Sequence, residues 1–200
     1  MKLTVIKNVF VTVSFMTGVS LNAQQGMGLK APMVENMIQL NNYQMTGDPD
    51  HDFASIMLIH NRGSLEMLND LSDSLGSELT GIAQNIEQRM NEETKELEKF
   101  SAEASDHSPN TEFVIDMKTF LGKAKEDIRR HSFLTGEVSQ DFANMMTADH
   151  EQAIQILNME LKYGKNAELK KIAQKMLESN EKELSELQKS ANSAGMGRRK

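Results

Sequence analysis

No cysteine occurs anywhere in this chain of 200 residues. That excludes disulfides, thiolate metal sites and attachment to lipid through an N-terminal cysteine. Tryptophan is also absent, there are only three prolines, and no segment alternates polar and apolar residues as a half-buried strand would. What is left is a set of thin apolar stripes at helical spacing, which predicts an all-helical chain. Long apolar runs are equally scarce. The run "VFVTVSFMTGV" (9–19) follows Lys2 and Lys7 and is too short to span a bilayer comfortably. With "SLNAQQ" (20–25) behind it, it reads as a secretory signal cut after Ala23. The mature protein is therefore expected in the periplasm or secreted, with no membrane span after signal cleavage. Positive charge is in deficit too, at 22 Lys and Arg against 29 Asp and Glu. The net charge of −7 becomes −9 once the two leader lysines are gone, which argues against nucleic acid or an anionic membrane as partner. The basic end "GRRK" (197–200) reads as part of a frayed tail over 191–200.

Methionine is what the chain has in excess, with 15 residues. Thioethers fill irregular gaps between helices, which is their commoner task. They are also soft ligands, and without cysteine they are one way to hold Cu(I). Phe53, Met57, His60, Ser64 and Met67 follow one another at steps of four and three, so one helix face carries a histidine between two methionines.

That segment has an echo. At an offset of 89, Thr46/Thr135, Gly47/Gly136, Asp52/Asp141, Phe53/Phe142, Ala54/Ala143, Met57/Met146 and Leu68/Leu157 are identical pairs. At an offset of 90, so are Glu78/Glu168, Leu79/Leu169, Ile82/Ile172, Ala83/Ala173, Gln84/Gln174, Glu93/Glu183, Leu97/Leu187 and Lys99/Lys189. This is a duplicated helical hairpin, at 46–104 and 135–190. Gly76 and Ser77 mark the turn of the first copy, and Gly164 with Asn166 that of the second. Asp48, Asp50 and Asp52 suit a helix N-terminus. They imitate a calcium loop only superficially, because Phe53 and Ile59 stand where that loop needs its glycine and its bidentate glutamate. Two hairpins predict a four-helix bundle. Between them, Phe113, Met117, Phe120, Leu121, Ala124 and Ile128 make a crossover helix within 105–134, entered after Pro109. Residues 24–45 form a Met-bearing leader or a short helix.

Counting back from each turn sets His60 level with Glu93, and Asp149 level with Glu183, roughly 24 Å along the hairpin. Asp149 and Glu183 are the repeat partners of His60 and Glu93. One polar layer of His60, Glu93, Asp149 and Glu183 is thus expected in an apolar core, with Met57, Met90 and Met146 nearby. The flanking position holds Asn61 in one copy and His150 in the other. Burial of such a layer is costly unless its members are ion-paired, protonated or bound to a metal. Ionic pairing, with His60 charged against Asp149 and Glu93, is a sufficient answer. A metal ion is the other.

The same residues resemble the exported family called domain of unknown function 305. Phe53, Met57, His60 and Met67 match its first helix in copy one, with Asn61 in place of the second histidine and Ser64 in place of alanine. Phe142, Met146, His150 and Ala153 match in copy two, with Asp149 in place of the first histidine and Ile156 in place of the last methionine. Glu93 and Glu183 match the glutamate of the return helix, and the family glutamine before it is Met90 or Asn180. The resemblance implies a ferritin-like four-helix bundle outside the cytoplasm, and copper binding or copper tolerance through Met and His. Each copy keeps one histidine of the pair, and not the same one.

As a metal-binding protein the chain would use Met57, His60, Met67, Met146 and His150 for Cu(I). Glu93, Asp149 and Glu183 would suit a harder ion such as Cu(II), Zn(II) or Mn(II). A metal-free structural or interaction bundle with an ion-paired layer is the alternative. An enzyme is not expected. A di-iron oxidase needs Glu-x-x-His on two helices, and none of the five histidines has a glutamate three residues before it. No phosphate loop or hydrolase serine motif is present either. His51, His107 and His131 are isolated, and His131 reads as a cation at a helix C-terminus.

Overall fold

The computed structural model describes residues 21–69, 75–103, 108–130, 135 and 137–196. Those residues are almost entirely helical: α1 (Leu21–Asn42), α2 (Pro49–Asn69), α3 (Ser77–Ala102), α4 (Thr111–Arg130), α5 (Val138–Tyr163) and α6 (Ala167–Met196). Residues 1–20, which hold most of the expected signal segment (1–23), together with His107, His131 and the basic end at 197–200, lie outside the described residues. The leader segment, which by sequence suits a helix or a loop, is helical to Asn42.

The helix ends follow from local chemistry. Asn166 stands one residue before α6, and its side-chain oxygen accepts the backbone N–H groups of Glu168 (3.0 Å) and Leu169 (3.1 Å). Two of the donors left open by a helix N-terminus are satisfied in this way. Gly164 closes α5 by donating to the Glu160 carbonyl at 2.8 Å. Asp52 does more than offer charge to the α2 N-terminus. Its carboxylate accepts Thr46 N–H and hydroxyl (2.9 and 3.0 Å), Gly47 N–H (2.8 Å) and the Tyr43 hydroxyl (3.0 Å). Asp141 accepts the Thr135 N–H and hydroxyl in the same manner. The identical Thr–Asp pairs of the two repeats are therefore one loop staple used twice. Gly47 takes φ +91° there, where a side chain would strain the backbone and strike Pro109.

α2 packs against α3 and α5 against α6, each helix against its neighbour in the chain. The pairs meet through α2 on α5 and α3 on α6, while α1 lies on α2 and α4, and α4 also reaches α5. The core is what the stripes predict. Phe53, Met57 and Met67 from α2, Ala83, Ile86, Met90, Leu97 and Phe100 from α3, and Phe142, Met146 and Ala153 from α5 are all buried. On α4, Phe113, Met117, Leu121, Ala124 and Ile128 are buried and Phe120 is half-buried. No described helix is long and apolar enough to cross a membrane.

Candidate functional site: the polar layer of the bundle

The four residues expected to interrupt the apolar core are all there. His60 is 1% exposed and Glu93 and Asp149 are each 7% exposed. The Glu183 side chain is 13% exposed. Asn61, Ser64, His150 and Asn180 are buried with them.

Their pairings divide the layer in two. On the α2–α5 side, Asp149 Oδ1 accepts the Ser64 hydroxyl at 2.7 Å and lies 3.5 Å from His60 Nε2. The Ser64 hydroxyl is also 3.1 Å from the His60 carbonyl, one turn back on its own helix. His60 itself is poorly served. Neither ring nitrogen has a hydrogen-bond partner, and the second oxygen of Asp149 has none either. Met57 and Met67, one and two turns away on the same face, are each 1% exposed.

On the α3–α6 side the carboxylates are closed by a residue the stripes do not single out. Arg89 Nη1 donates to Glu93 Oε1 and Oε2 at 2.7 and 2.6 Å. Its Nε reaches Glu183 Oε1 and Oε2 at 2.9 and 3.0 Å, and Nη2 reaches Oε2 at 2.7 Å. His150 Nε2 sits 2.9 Å from the same Glu183 oxygen, and its Nδ1 faces the Met146 carbonyl at 2.8 Å. Both ring nitrogens thus lie within hydrogen-bonding distance of oxygen atoms. Asn61 Nδ2 adds a long contact of 3.5 Å to Glu93.

The two glutamates respond differently. Burial pushes the Glu93 carboxyl above its ordinary value, and the Arg89 charge offsets this only in part. Burial also presses on Glu183, but the hydrogen bonds from His150 and Arg89 outweigh it and hold that carboxyl below the usual range.

The sequence reading therefore finds the layer and the facing of His60 and Asp149, but not the other partners. Within each hairpin it is the flanking residue, Asn61 or His150, that reaches the return-helix glutamate. His60 and Asp149 face each other between the hairpins. Glu93, expected as a partner for charged His60, belongs to Arg89. The sequence does hold a signal for Arg89, because it precedes Glu93 by four residues, the spacing that pairs side chains on one helix face. Met57, Met67 and Met146 are buried core residues, and Met146 is fully enclosed. Among the described residues, no three His, Asp or Glu side chains are arranged to hold a metal ion. His51 points its ring nitrogen at the Glu103 carbonyl (3.0 Å), away from the layer.

No curated protein matches this chain, and no solved structure matches it. One family model does, over residues 50–191, which is well over half of the chain and takes in both hairpins and the whole polar layer. The chain belongs to the family described as domain of unknown function (DUF305).

Proposed function

We propose that this protein is an exported binding protein, not an enzyme, whose bundle takes up a soft metal ion, Cu(I), at the His60 side of the polar layer. In this reading α2, α3, α5 and α6 form a ferritin-like four-helix bundle made by duplication of a hairpin, with α4 as the crossover. The observation that carries the reading is His60: a buried imidazole with no hydrogen bond at either ring nitrogen, its Nε2 only facing Asp149 at 3.5 Å, on one helix face with the thioethers of Met57 and Met67. Such an orphaned group costs stability and needs an explanation. Imidazole and thioether together suit Cu(I) better than any hard ion. The residues on this side fit the ion. Glu93, Glu183 and His150 do not offer themselves to it, because Arg89 already engages both glutamates and His150 engages Glu183.

The test is a titration of residues 24–200 with Cu(I) against a competing chelator, next to a Met-rich peptide of scrambled sequence. Binding tighter than that control is expected, lost in His60→Ala, weakened in Met57→Leu and Met67→Leu, and retained in His150→Ala. Binding no tighter than the control, or unchanged binding in His60→Ala, overturns the reading. The ion pairs of Arg89 favour a second reading, a metal-free structural bundle held by its charged layer. That reading expects no copper binding together with strong destabilisation on removal of Arg89.

A further inference from the structure

The acid half of the polar layer has the composition of a hard-metal site. Glu93 from α3 and Glu183 from α6 flank one guanidinium, and the imidazole of His150 from α5 reaches Glu183. The donor types suit a divalent ion, although with Arg89 between them the three side chains are not arranged to hold one. The place such an ion would take is filled by a guanidinium. Arg89 engages all four carboxylate oxygens within 3.0 Å, and its side chain is only 14% exposed. Arg89 supplies the fixed positive charge that faces the two carboxylates. The two repeats are not equivalent at this point. The residue at the repeat position of Arg89 is Ser179, so one arginine from the first hairpin serves the glutamates of both.

We infer that Arg89 is a tethered cation occupying a two-carboxylate, one-histidine site, and that it is the residue which denies hard divalent ions entry to the bundle. The inference deepens the soft-metal reading and rests on it in one respect, since it explains why the ion admitted beside His60 would be a soft one. A fork of five fixed donors matches two carboxylates closely and cannot lose its proton, so no competing ion gains by deprotonating it. Removal of the guanidinium leaves two buried carboxylates against one imidazole. A divalent ion at that position would restore the balance and satisfy the same lone pairs at shorter range.

The experiment is a titration of the full mature chain, wild type and Arg89→Ser, with Mn2+ and Zn2+ by calorimetry, and with Co2+ by its visible spectrum. Wild type is expected to show no site for these ions in the layer. Arg89→Ser is expected to bind one equivalent, and Glu183→Gln in that background to weaken it about 10- to 100-fold. Arg89→Lys, which keeps the charge, is expected to stay closed. If Arg89→Ser is unfolded without metal, the inference requires divalent ions to restore its helical circular dichroism. A folded Arg89→Ser that takes up no divalent ion overturns the inference, as does an unfolded one that metal does not rescue. Wild-type binding that Glu183→Gln abolishes overturns it as well. Cu(I) binding by Arg89→Ser is read separately: its loss or retention tests the His60 site, whereas the hard ions alone test the role of Arg89.

Discussion

At the scale of the residue, the most exacting burial lies outside the polar layer. Glu160 on α5 is fully buried, and no donor reaches either of its carboxylate oxygens. Its surroundings are acidic. Burial, followed by the charge of Asp50, pushes its pKa up to about 9, and Lys170 relieves this only in part. Asp50 cannot move away, because its carboxylate accepts the backbone N–H groups of Lys165 (3.0 Å) and Asn166 (2.9 Å) at the start of α6. Glu160 therefore keeps its proton at neutral pH, beside the Asp50 carboxylate. An acid whose folded pKa lies above its unfolded value binds more protons in the folded state over the interval between the two. Stability then falls as pH rises, here from about 4.5 to about 9, with a limiting slope of about 1.4 kcal/mol per pH unit. Glu160→Gln replaces the titrating acid with a permanently neutral group and removes that slope. The variant is expected to be nearly equal to wild type at pH 5 and more stable by about 4 kcal/mol at pH 8. Urea denaturation at both pH values checks this, and parallel stability curves for the two proteins would sink it.

At the scale of the element, spacing makes the helices readable and leaves their docking hidden. Phe53, Met57, His60, Ser64 and Met67 announce the buried face of α2, because a period of 3.6 needs nothing beyond the local chain. The polar layer is legible for a related reason, since the identical sequence pairs at offsets of 89 and 90 and a rise of 1.5 Å per residue suggest which levels coincide. Charge alone suggests His60 against Asp149, but the remaining partners in the layer are not legible. Whether Asp149 turns to Glu183 or to His60 depends on how two hairpins rotate about their long axes, and repeat spacing does not encode that angle. Arg89 escapes for another reason. An arginine four residues from a glutamate usually marks a solvated helix face, and only the approach of α6 with Glu183 makes it an interior cation. The seat of α1 on α2 is of the same hidden kind. A Cβ placed on Gly63 would collide with the Asn36 side chain, and Asn36 Nδ2 donates to the Ile59 carbonyl. Gly63 is thus a contact point for α1 and not a weak spot in α2. Gly63→Ala gains helix propensity but must push Asn36 out, so a net destabilisation of about 1–3 kcal/mol is expected. Its measure is the urea midpoint at unchanged slope, and Asn36→Ala in the same background should recover part of the loss. A neutral or stabilised Gly63→Ala would show that α1 does not need this close approach.

At the scale of the whole molecule, the two hairpins are joined by polar as well as apolar contacts. Arg89 on α3 holds Glu183 on α6, Ser64 on α2 holds Asp149 on α5, and Asp50 at the start of α2 caps the turn into α6. These links reach from one end of the packed helices to the level of the layer, so neither hairpin can open without breaking charged hydrogen bonds to the other. The two outer elements are held less firmly. α1 contributes Met33, Met37 and Leu40 to the core, yet its faces also leave Val34 and Ile38 exposed. α4 likewise buries Phe113, Met117 and Leu121 while Ile115 stays 58% exposed, and its Asp116 meets Lys162 of α5 at the surface. Local opening free energy follows the contacts an element must break, so the molecule should open in two tiers. Hydrogen exchange read by mass spectrometry should give α2, α3, α5 and α6 one common, highest protection near the layer. Peptides from α1 and α4 should exchange faster, by a factor that shrinks in urea as global unfolding takes over. Arg89→Ala is the decisive variant, since loss of one partner from a buried pair is costly by about 3–5 kcal/mol. It should lower protection in the four inner helices together and leave the opening of α1 and α4 unchanged until the two tiers meet. Loss of protection confined to α3 would mean instead that the hairpins unfold independently and that the layer does not couple them.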